Sequence, residues 1–234
     1  MIPSETRPLV SCIVPVFNGE KYLAESLDSI FAQTYRPIEV IVADDGSTDG
    51  SRGLVESYAE PVRWISQKSA GPPAARNLGA RAARGEMLAF LDADDLWLPE
   101  KLAMQVSRLQ SRPELDACVA HVRMFWAPEL REEEEFYREH PRAQAIPGYA
   151  SISLLAQRTV FDRIGMYRED LWSADSTEWF IRFREAGLAL DCMEEVLVLH
   201  RMHSNNLTRR RSEASKAEFA RVVADSLLKR RGRP

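Results

Sequence analysis

Five carboxylates fall in two short clusters, Asp44-Asp45 and Asp92-x-Asp94-Asp95, each directly after an apolar run. Like charges gathered at one place repel one another by on the order of 1 kcal/mol or more at partly screened separations. A bound divalent cation removes that cost. Mg²⁺ and Mn²⁺ prefer oxygen ligands, and Mg²⁺ is typically held by one or two carboxylates together with substrate phosphates. The acids therefore point to a metal, and the metal points to a phosphate-bearing substrate. The same residues also suit plainer work: Asp45-Gly46-Ser47-Thr48-Asp49 is an ordinary turn sequence, and Asp95 can cap a following helix. Two further groups belong with the acids. Arg76 stands one turn into an Ala-rich stretch, where a guanidinium either reaches a phosphate or ribose or is simply a surface arginine. His200-Arg201-Met202-His203 ends another apolar run, and a histidine there is a third metal ligand or a hydrogen-bonded structural residue.

These groups need elements to position them. Leu9 to Phe17, Ile38 to Ala43, Val62 to Ile65 and Glu86 to Leu91 read as strands, the first ending at the turn signal Asn18-Gly19. Between them, helical spacing runs over Glu20 to Gln33, Gly50 to Tyr58 and Gly71 to Ala83, and Pro99 opens a helix to Leu109. This alternation predicts a mostly parallel central sheet with helices on both faces, an α/β fold. Such sheets bind ligands at the carboxyl ends of their strands, which is where the acids stand. Later segments are less regular: strands at Cys118 to Trp126, Ser151 to Ala156 and Val196 to Met202, and helices at Thr159 to Ile164, Ser176 to Ala186 and Ser212 to Lys229. The run Glu132 to Glu135 reads as a solvated helix face or mobile loop. Neither repeat nor linker interrupts the chain, so its two halves are expected to share one sheet.

Composition sets the outer limits. The chain has 234 residues, 45% apolar and 28% charged, which excludes a disordered or low-complexity protein. A net charge of −4 argues against a nucleic-acid binder. Cys12, Cys118 and Cys192 are odd in number and widely spaced, which disfavours a disulfide framework or zinc ribbon and suggests a reducing compartment. No apolar run is long enough for a membrane span, and Met1 to Arg7 lacks a signal-peptide pattern, so a cytoplasmic location is expected. The basic tail Lys229 to Arg233 is a candidate peripheral membrane contact.

Four blocks resemble a known family: Val10 to Asn18, Val42 to Asp49, Gly71 with Ala75-Arg76-Asn77, and Phe90 to Asp95. Their order and spacing over the first hundred residues are similar to a family 2 glycosyltransferase of the GT-A fold, a Rossmann-type sandwich. The resemblance implies a single domain over 1–234, with a nucleotide-sugar-binding half to about residue 110 and an acceptor-binding half after it. It implies hexosyl transfer from a nucleotide diphospho-sugar, a UDP-sugar foremost, with inversion and a Mn²⁺ or Mg²⁺ cofactor. The acceptor would be a saccharide, a lipid-linked glycan or a small molecule. On the same resemblance Pro15, Val16, Phe17, Asn18, Asp44 and Asp45 border the nucleotide, and Arg76, Asp92, Ala93 and Asp94 line the nucleotide-sugar. Asp94, Asp92, Asp95 and His203, the last in His-x-x-Asn, are the metal-ligand candidates. Many members carry Glu-Asp at the start of a later helix. Here that stretch reads Ser173-Ala174-Asp175-Ser176-Thr177-Glu178, so the catalytic base falls to Asp175, with Glu178 in reserve. The helix is expected to begin at Ser176, which makes Asp175 its N-cap.

Inversion needs one in-line displacement. A carboxylate must take the acceptor hydroxyl's proton, and a cation beside the diphosphate stabilises the leaving group. Other classes remain open on the sequence: a nucleotide-sugar-binding protein without catalysis, a Mg²⁺-dependent receiver-type signalling domain and a nucleotidyltransferase.

Overall fold

The computed structural model describes residues 7–140 and 143–231, with side chains as far as Lys229. The first half builds β1 (Val10–Val16), β2 (Ile38–Asp44), β3 (Val62–Ser66) and β4 (Met87–Phe90), parallel and in the order β3-β2-β1-β4. Helices α1 (Leu23–Phe31), α2 (Ser51–Glu56) and α3 (Pro72–Ala82) make the crossovers. A two-residue strand β5 (Leu96–Trp97) precedes α4 (Lys101–Ser111). The second half adds β6 (Ala117–Trp126), α5 (Arg131–Tyr137), β7 (Ile146–Pro147), β8 (Leu155–Gln157), α6 (Arg158–Ile164), α7 (Asp175–Glu185), β9 (Leu190–Met202), α8 (Leu207–Arg210) and α9 (Ser212–Arg231). The sheet continues through β4-β8-β6-β9-β5, with β8 antiparallel to both neighbours and β6 parallel to β9 from Ala117↔Leu190 to Trp126↔Met202. One sheet thus runs through both halves, as the uninterrupted chain leads one to expect.

The inner strands β1 and β4 are almost entirely apolar because both faces of the sheet are covered there. Val10, Cys12, Val14 and Val16 of β1 pack with Leu23, Leu27 and Ile30 of α1 and Leu102 and Val106 of α4. Ile13 on the other face joins Ile41, Phe90, Trp179 and Phe183. There α3 lies so close to the sheet that a Cβ on Gly79 would stand 2.4 Å from the Ile13 side chain. Only glycine permits that approach.

Several boundaries differ from the sequence expectation. The first helix begins at Leu23 instead of Glu20, because residues 18–20 donate their N–H groups to Ser47, Ser51 and Asp49. Ser151–Ser153 is one turn of 3₁₀ helix, leaving only Leu155–Gln157 extended. β9 starts at Leu190, six residues early, and absorbs its polar segment in register shifts around His121. The glutamate run lies in α5, where Glu133 bonds Trp126 Nε1 and pairs with Arg209. Among the described residues no helix is long and apolar enough to cross a membrane. The Met1 to Arg7 segment, up to its last residue, and the basic tail beyond Lys229 lie outside the described side chains.

Candidate active site

The carboxyl ends of β1, β2, β4 and β9 meet at one rim. At the end of β1, Pro15 and Val16 are buried in the strand, whereas Phe17 is 55% exposed. Asn18 follows with φ 52°, a left-handed turn conformation that asparagine tolerates. Its Oδ1 accepts the Thr48 N–H at 2.8 Å. Asp44 closes the same turn by accepting the Ser47 N–H at 2.8 Å.

Asp45 does something the sequence reading did not anticipate. It is 4% exposed and accepts from Gln67 Nε2, Ser69 Oγ and the N–H groups of Ala70 and Gly71, at 2.8–3.0 Å. A buried carboxylate needs donors, and the loop before α3 supplies them. Both its oxygens are therefore engaged in fixing that loop. The loop ends at Gly71, φ +100°, where a Cβ would stand 3.1 Å from the Trp172 ring.

Arg76 also differs from expectation. It is neither a surface arginine nor free to reach a phosphate. It is 6% exposed, with Nη2 donating to Asp92 Oδ1 and Nη1 to Asp175 Oδ2, each at 2.7 Å. Burial alone would lower its pKa, but the Asp92 and Asp175 carboxylates more than offset this, so the guanidinium stays charged. Its Nε is buried without a partner, as is the Tyr167 hydroxyl. Asp175 is the first residue of α7; Ala174, not Asp175, occupies the N-cap. Burial raises the Asp175 carboxyl above the usual range despite the pull of Arg76, which suits a group that must accept a proton. Glu178 instead turns along the helix to Arg182, meeting its Nε at 2.9 and 3.0 Å.

Asp94 and His203 face each other, Oδ2 to Nε2 at 2.9 Å. The Asn205 N–H donates to His203 Nδ1 at 3.2 Å, and Asn206 Oδ1 accepts the His203 N–H at 2.6 Å. With Nδ1 accepting, Nε2 carries either a proton or a metal ion toward Asp94. A carboxylate and an imidazole so aimed fit Mn²⁺ or Mg²⁺ completed by diphosphate oxygens. Asp92 stands two residues away but is held by Arg76. Among the described residues no three His, Cys, Asp or Glu side chains form a ready cation cage.

Asp95, the other metal-ligand candidate of this cluster, is enclosed by its own partners. It is 0% exposed, accepts the Arg201 N–H at 2.8 Å and meets His200 Nδ1 at 2.9 and 3.0 Å. Burial pushes Asp95 up to about 6 against the pull of His200. Burial would lower His200, but Asp95 outweighs it and raises it to about 9. The pair, with Asp95 buried and His200 half-buried, braces the start of β5 against β9.

Sequence reasoning missed Trp172, Arg201 and Glu218. Arg201 reaches Glu25 at 2.8 Å and lies over the Tyr22 ring. Glu218 accepts the N–H groups of Trp172, Ser173 and Ala174. Their partners are 44 or more residues away in the chain, so no local spacing could reveal them. Near the outer ends of β6 and β9 lies a cavity of ≈ 380 Å³ lined by Met124, Trp126, Glu133, Tyr137, Met202 and Arg209.

Comparisons with known proteins give the chain its family and its fold. The sequence profile of glycosyl transferase family 2 matches residues 11–169. An uncharacterised glycosyltransferase of Rickettsia typhi is 32% identical over 216 residues, covering 86% of this chain and 66% of that protein. The uncharacterised glycosyltransferase EpsJ of Bacillus subtilis is 29% identical over 219 residues, covering 86% and 63%. Among solved structures, a mannosyltransferase from Pyrobaculum calidifontis in complex with GDP-Man and Mn²⁺ aligns with TM-score 0.72 at 23% identity, over 96% of this chain and 65% of that one. TarS 1–349 of S. aureus in complex with UDP aligns with TM-score 0.68 at 20% identity, over 94% and 65%. The chain thus spans just under two thirds of the length of these proteins. The profile match takes in more than half of the chain, including both acidic strand ends and Arg76, and on that evidence the chain belongs to glycosyl transferase family 2, on a GT-A fold.

Proposed function

We propose that this chain transfers a sugar from a nucleotide diphospho-sugar to an acceptor hydroxyl with inversion. The observation that carries the reading is the convergence of Asp94 with His203, and of Asp92 with Asp175 through Arg76, at one sheet rim. The donor's diphosphate would lie by Asp94 and His203. Mn²⁺ or Mg²⁺ held there would offset charge on the departing nucleoside diphosphate. Asp175 would take the acceptor's proton. Arg76 orients Asp175 and Asp92, and its fixed charge keeps both carboxylates at the rim. Phe17 and Asn18, at the open end of β1, would border the base.

The structural neighbours in complex with UDP, UDP-GlcNAc and GDP-Man support a nucleotide-sugar donor and leave uracil and guanine as the two bases to try first. A saccharide, a lipid-linked glycan or a small molecule bearing a hydroxyl would serve as acceptor. The ≈ 380 Å³ cavity offers aromatic faces with a carboxylate and a guanidinium, a lining suited to a sugar ring. Free thiols at Cys12, Cys118 and Cys192 favour a cytoplasmic setting.

The test is release of nucleoside diphosphate from a panel of UDP- and GDP-sugars with Mn²⁺ or Mg²⁺, with NMR of the anomeric product. Turnover of one donor with inverted product is expected. Tight donor binding without release from any donor would leave a nucleotide-sugar-binding protein instead.

A further inference from the structure

The segment that delivers Asp175 to the rim carries three consecutive backbone N–H groups, at Trp172, Ser173 and Ala174, and one carboxylate takes all of them. Glu218 Oε1 and Oε2 accept from Trp172 at 3.0 and 3.1 Å, and Oε2 accepts from Ser173 at 2.6 Å and Ala174 at 2.9 Å. Glu218 belongs to α9, more than forty residues on and past the end of the family match at residue 169. Ser173 Oγ and Ser215 Oγ stand 2.7 Å apart beside it, and Arg211 lies 4.5 Å from the Trp172 ring centroid. Leu171, Ala174 and Val222 close the contact with a small apolar cluster.

Hydrogen bonds to an ionised acceptor are roughly twice as strong as neutral ones, and the Ser173 and Ala174 amides are partly shielded from water. The arrangement has a chemical consequence. Ala174, at the N-cap of α7, has no polar side chain, and the Glu218 carboxylate orders the chain just before the helix. The Asp175 carboxylate faces Arg76 and accepts backbone N–H groups at the start of α7. Trp172 also packs against Gly71, on the loop that Asp45 holds. One carboxylate in the last helix therefore sets the path of the base-bearing loop against the nucleotide-side loop.

We propose that Glu218 is the positioning residue for the catalytic base, holding Trp172–Ala174 so that Asp175 meets the acceptor hydroxyl. The inference rests on the role given to Asp175 above. A misplacement of about 1 Å in a reacting group can cost on the order of a hundredfold in rate.

The experiment compares wild type with Glu218→Gln, Glu218→Asp, Ser215→Ala, Asp175→Asn and the Glu218→Gln/Asp175→Asn double variant. The probe is the nucleotide sugar that wild type turns over, with UDP or GDP plus Mn²⁺ for binding and a thermal midpoint for folding. Glu218→Gln is expected to lose about ten- to a hundredfold in kcat while nucleotide affinity stays within about twofold. Glu218→Asp should recover part of that loss. Ser215→Ala, which loosens the same helix contact without touching the three N–H groups, should keep wild-type kcat. The double variant should be no slower than Asp175→Asn alone, because two residues acting as a unit are not additive. An unchanged kcat in Glu218→Gln, equal losses in Ser215→Ala, or losses that multiply in the double variant would each overturn the proposal. Absence of turnover by wild type would overturn the function reading itself, and the positioning role with it.

Discussion

Asp175 and Arg76 form a buried pair, and that changes what their substitutions should do. If Asp175 were a simple helix cap, Asn would replace it with little effect, since Asn caps about as well. Instead Asp175→Asn should lower turnover by about 10²–10⁴-fold. It should also cost roughly 1–3 kcal/mol in urea unfolding, because Arg76 exchanges a charged acceptor for a neutral one. Glu178→Gln is the contrast: its carboxylate faces Arg182, so steady-state turnover should be unchanged. The reverse pattern would make Glu178 the base. Arg76→Ala should lower kcat together with stability, the latter by about 3–5 kcal/mol, as expected when one partner of a buried ionic cluster is removed. A rise in KM alone would mean that Arg76 acts on the nucleotide after all. The sequence made the acids and Arg76 visible as chemistry, because several charged groups at strand ends need a reason. It could not show their partners. Arg76 meets a carboxylate 99 residues away, and Asp95 looked as available as Asp94 until His200 and the Arg201 amide were seen to enclose it.

Among the elements, α4 holds an unexpected charge. Periodicity assigns Leu102, Val106 and Leu109 to its inner face, and these are buried, but so is Lys101 at 0% exposure. Its Nζ donates to Gln105 Oε1 at 2.7 Å and sits 4.2 Å from the Trp97 ring centroid. Burial lowers its pKa to about 7. The folded value thus lies below the unfolded one, near 10.4. Between these limits the unfolded chain binds one more proton than the folded chain. Lys101 therefore adds stability as pH rises above about 7, and that contribution is lost as pH falls back through it. Relative to Lys101→Met, wild type should gain up to about 1.4 kcal/mol per pH unit over this window, and the variant should be the more stable in mild acid. Urea titrations of both proteins at several pH values read the difference directly, and parallel curves would refute the buried charge. Element by element, β1, β2 and β4 were legible because both faces are covered and their residues are mostly apolar, with Ser11 and Glu39 the exceptions ahead of the acidic end of β2. The start of β9 was hidden by Asp191, Glu194 and Glu195. The strands β5 and β7, with two residues each, are made by pairing with β9 and β6, not by their own sequence.

On the scale of the whole molecule, the proposed donor site joins the two halves of one sheet. Asp94 follows β4 and His203 follows β9, 109 residues apart in sequence, yet β4, β8, β6 and β9 are neighbours in the sheet. A ligand that engages both residues binds the folded chain and cannot bind the unfolded one in the same way. It must therefore stabilise folding by RT ln(1 + [L]/Kd), about 2.7 kcal/mol at a hundredfold excess over Kd. Nucleoside diphosphate with Mn²⁺ should raise the thermal midpoint further than nucleoside diphosphate with EDTA. The difference isolates the metal-dependent part. Asp94→Ala and His203→Ala should each abolish that difference while keeping the metal-independent shift, since the nucleotide still meets the end of β1. Asp95→Asn should behave otherwise. Its carboxylate is a structural brace to His200, so it should lower the midpoint of the unliganded protein and leave the Mn²⁺-dependent increment in place. If the increment survives Asp94→Ala, or vanishes in Asp95→Asn at a temperature where that variant is folded, the metal lies elsewhere on the rim. His203→Gln separates ligation from packing, because the amide fills part of the imidazole's space beside Tyr22, 4.9 Å away between ring centroids, and is a far poorer ligand for Mn²⁺. Its midpoint without ligand should stay near wild type while the increment falls, which is the result required of a residue whose work is to hold the cation.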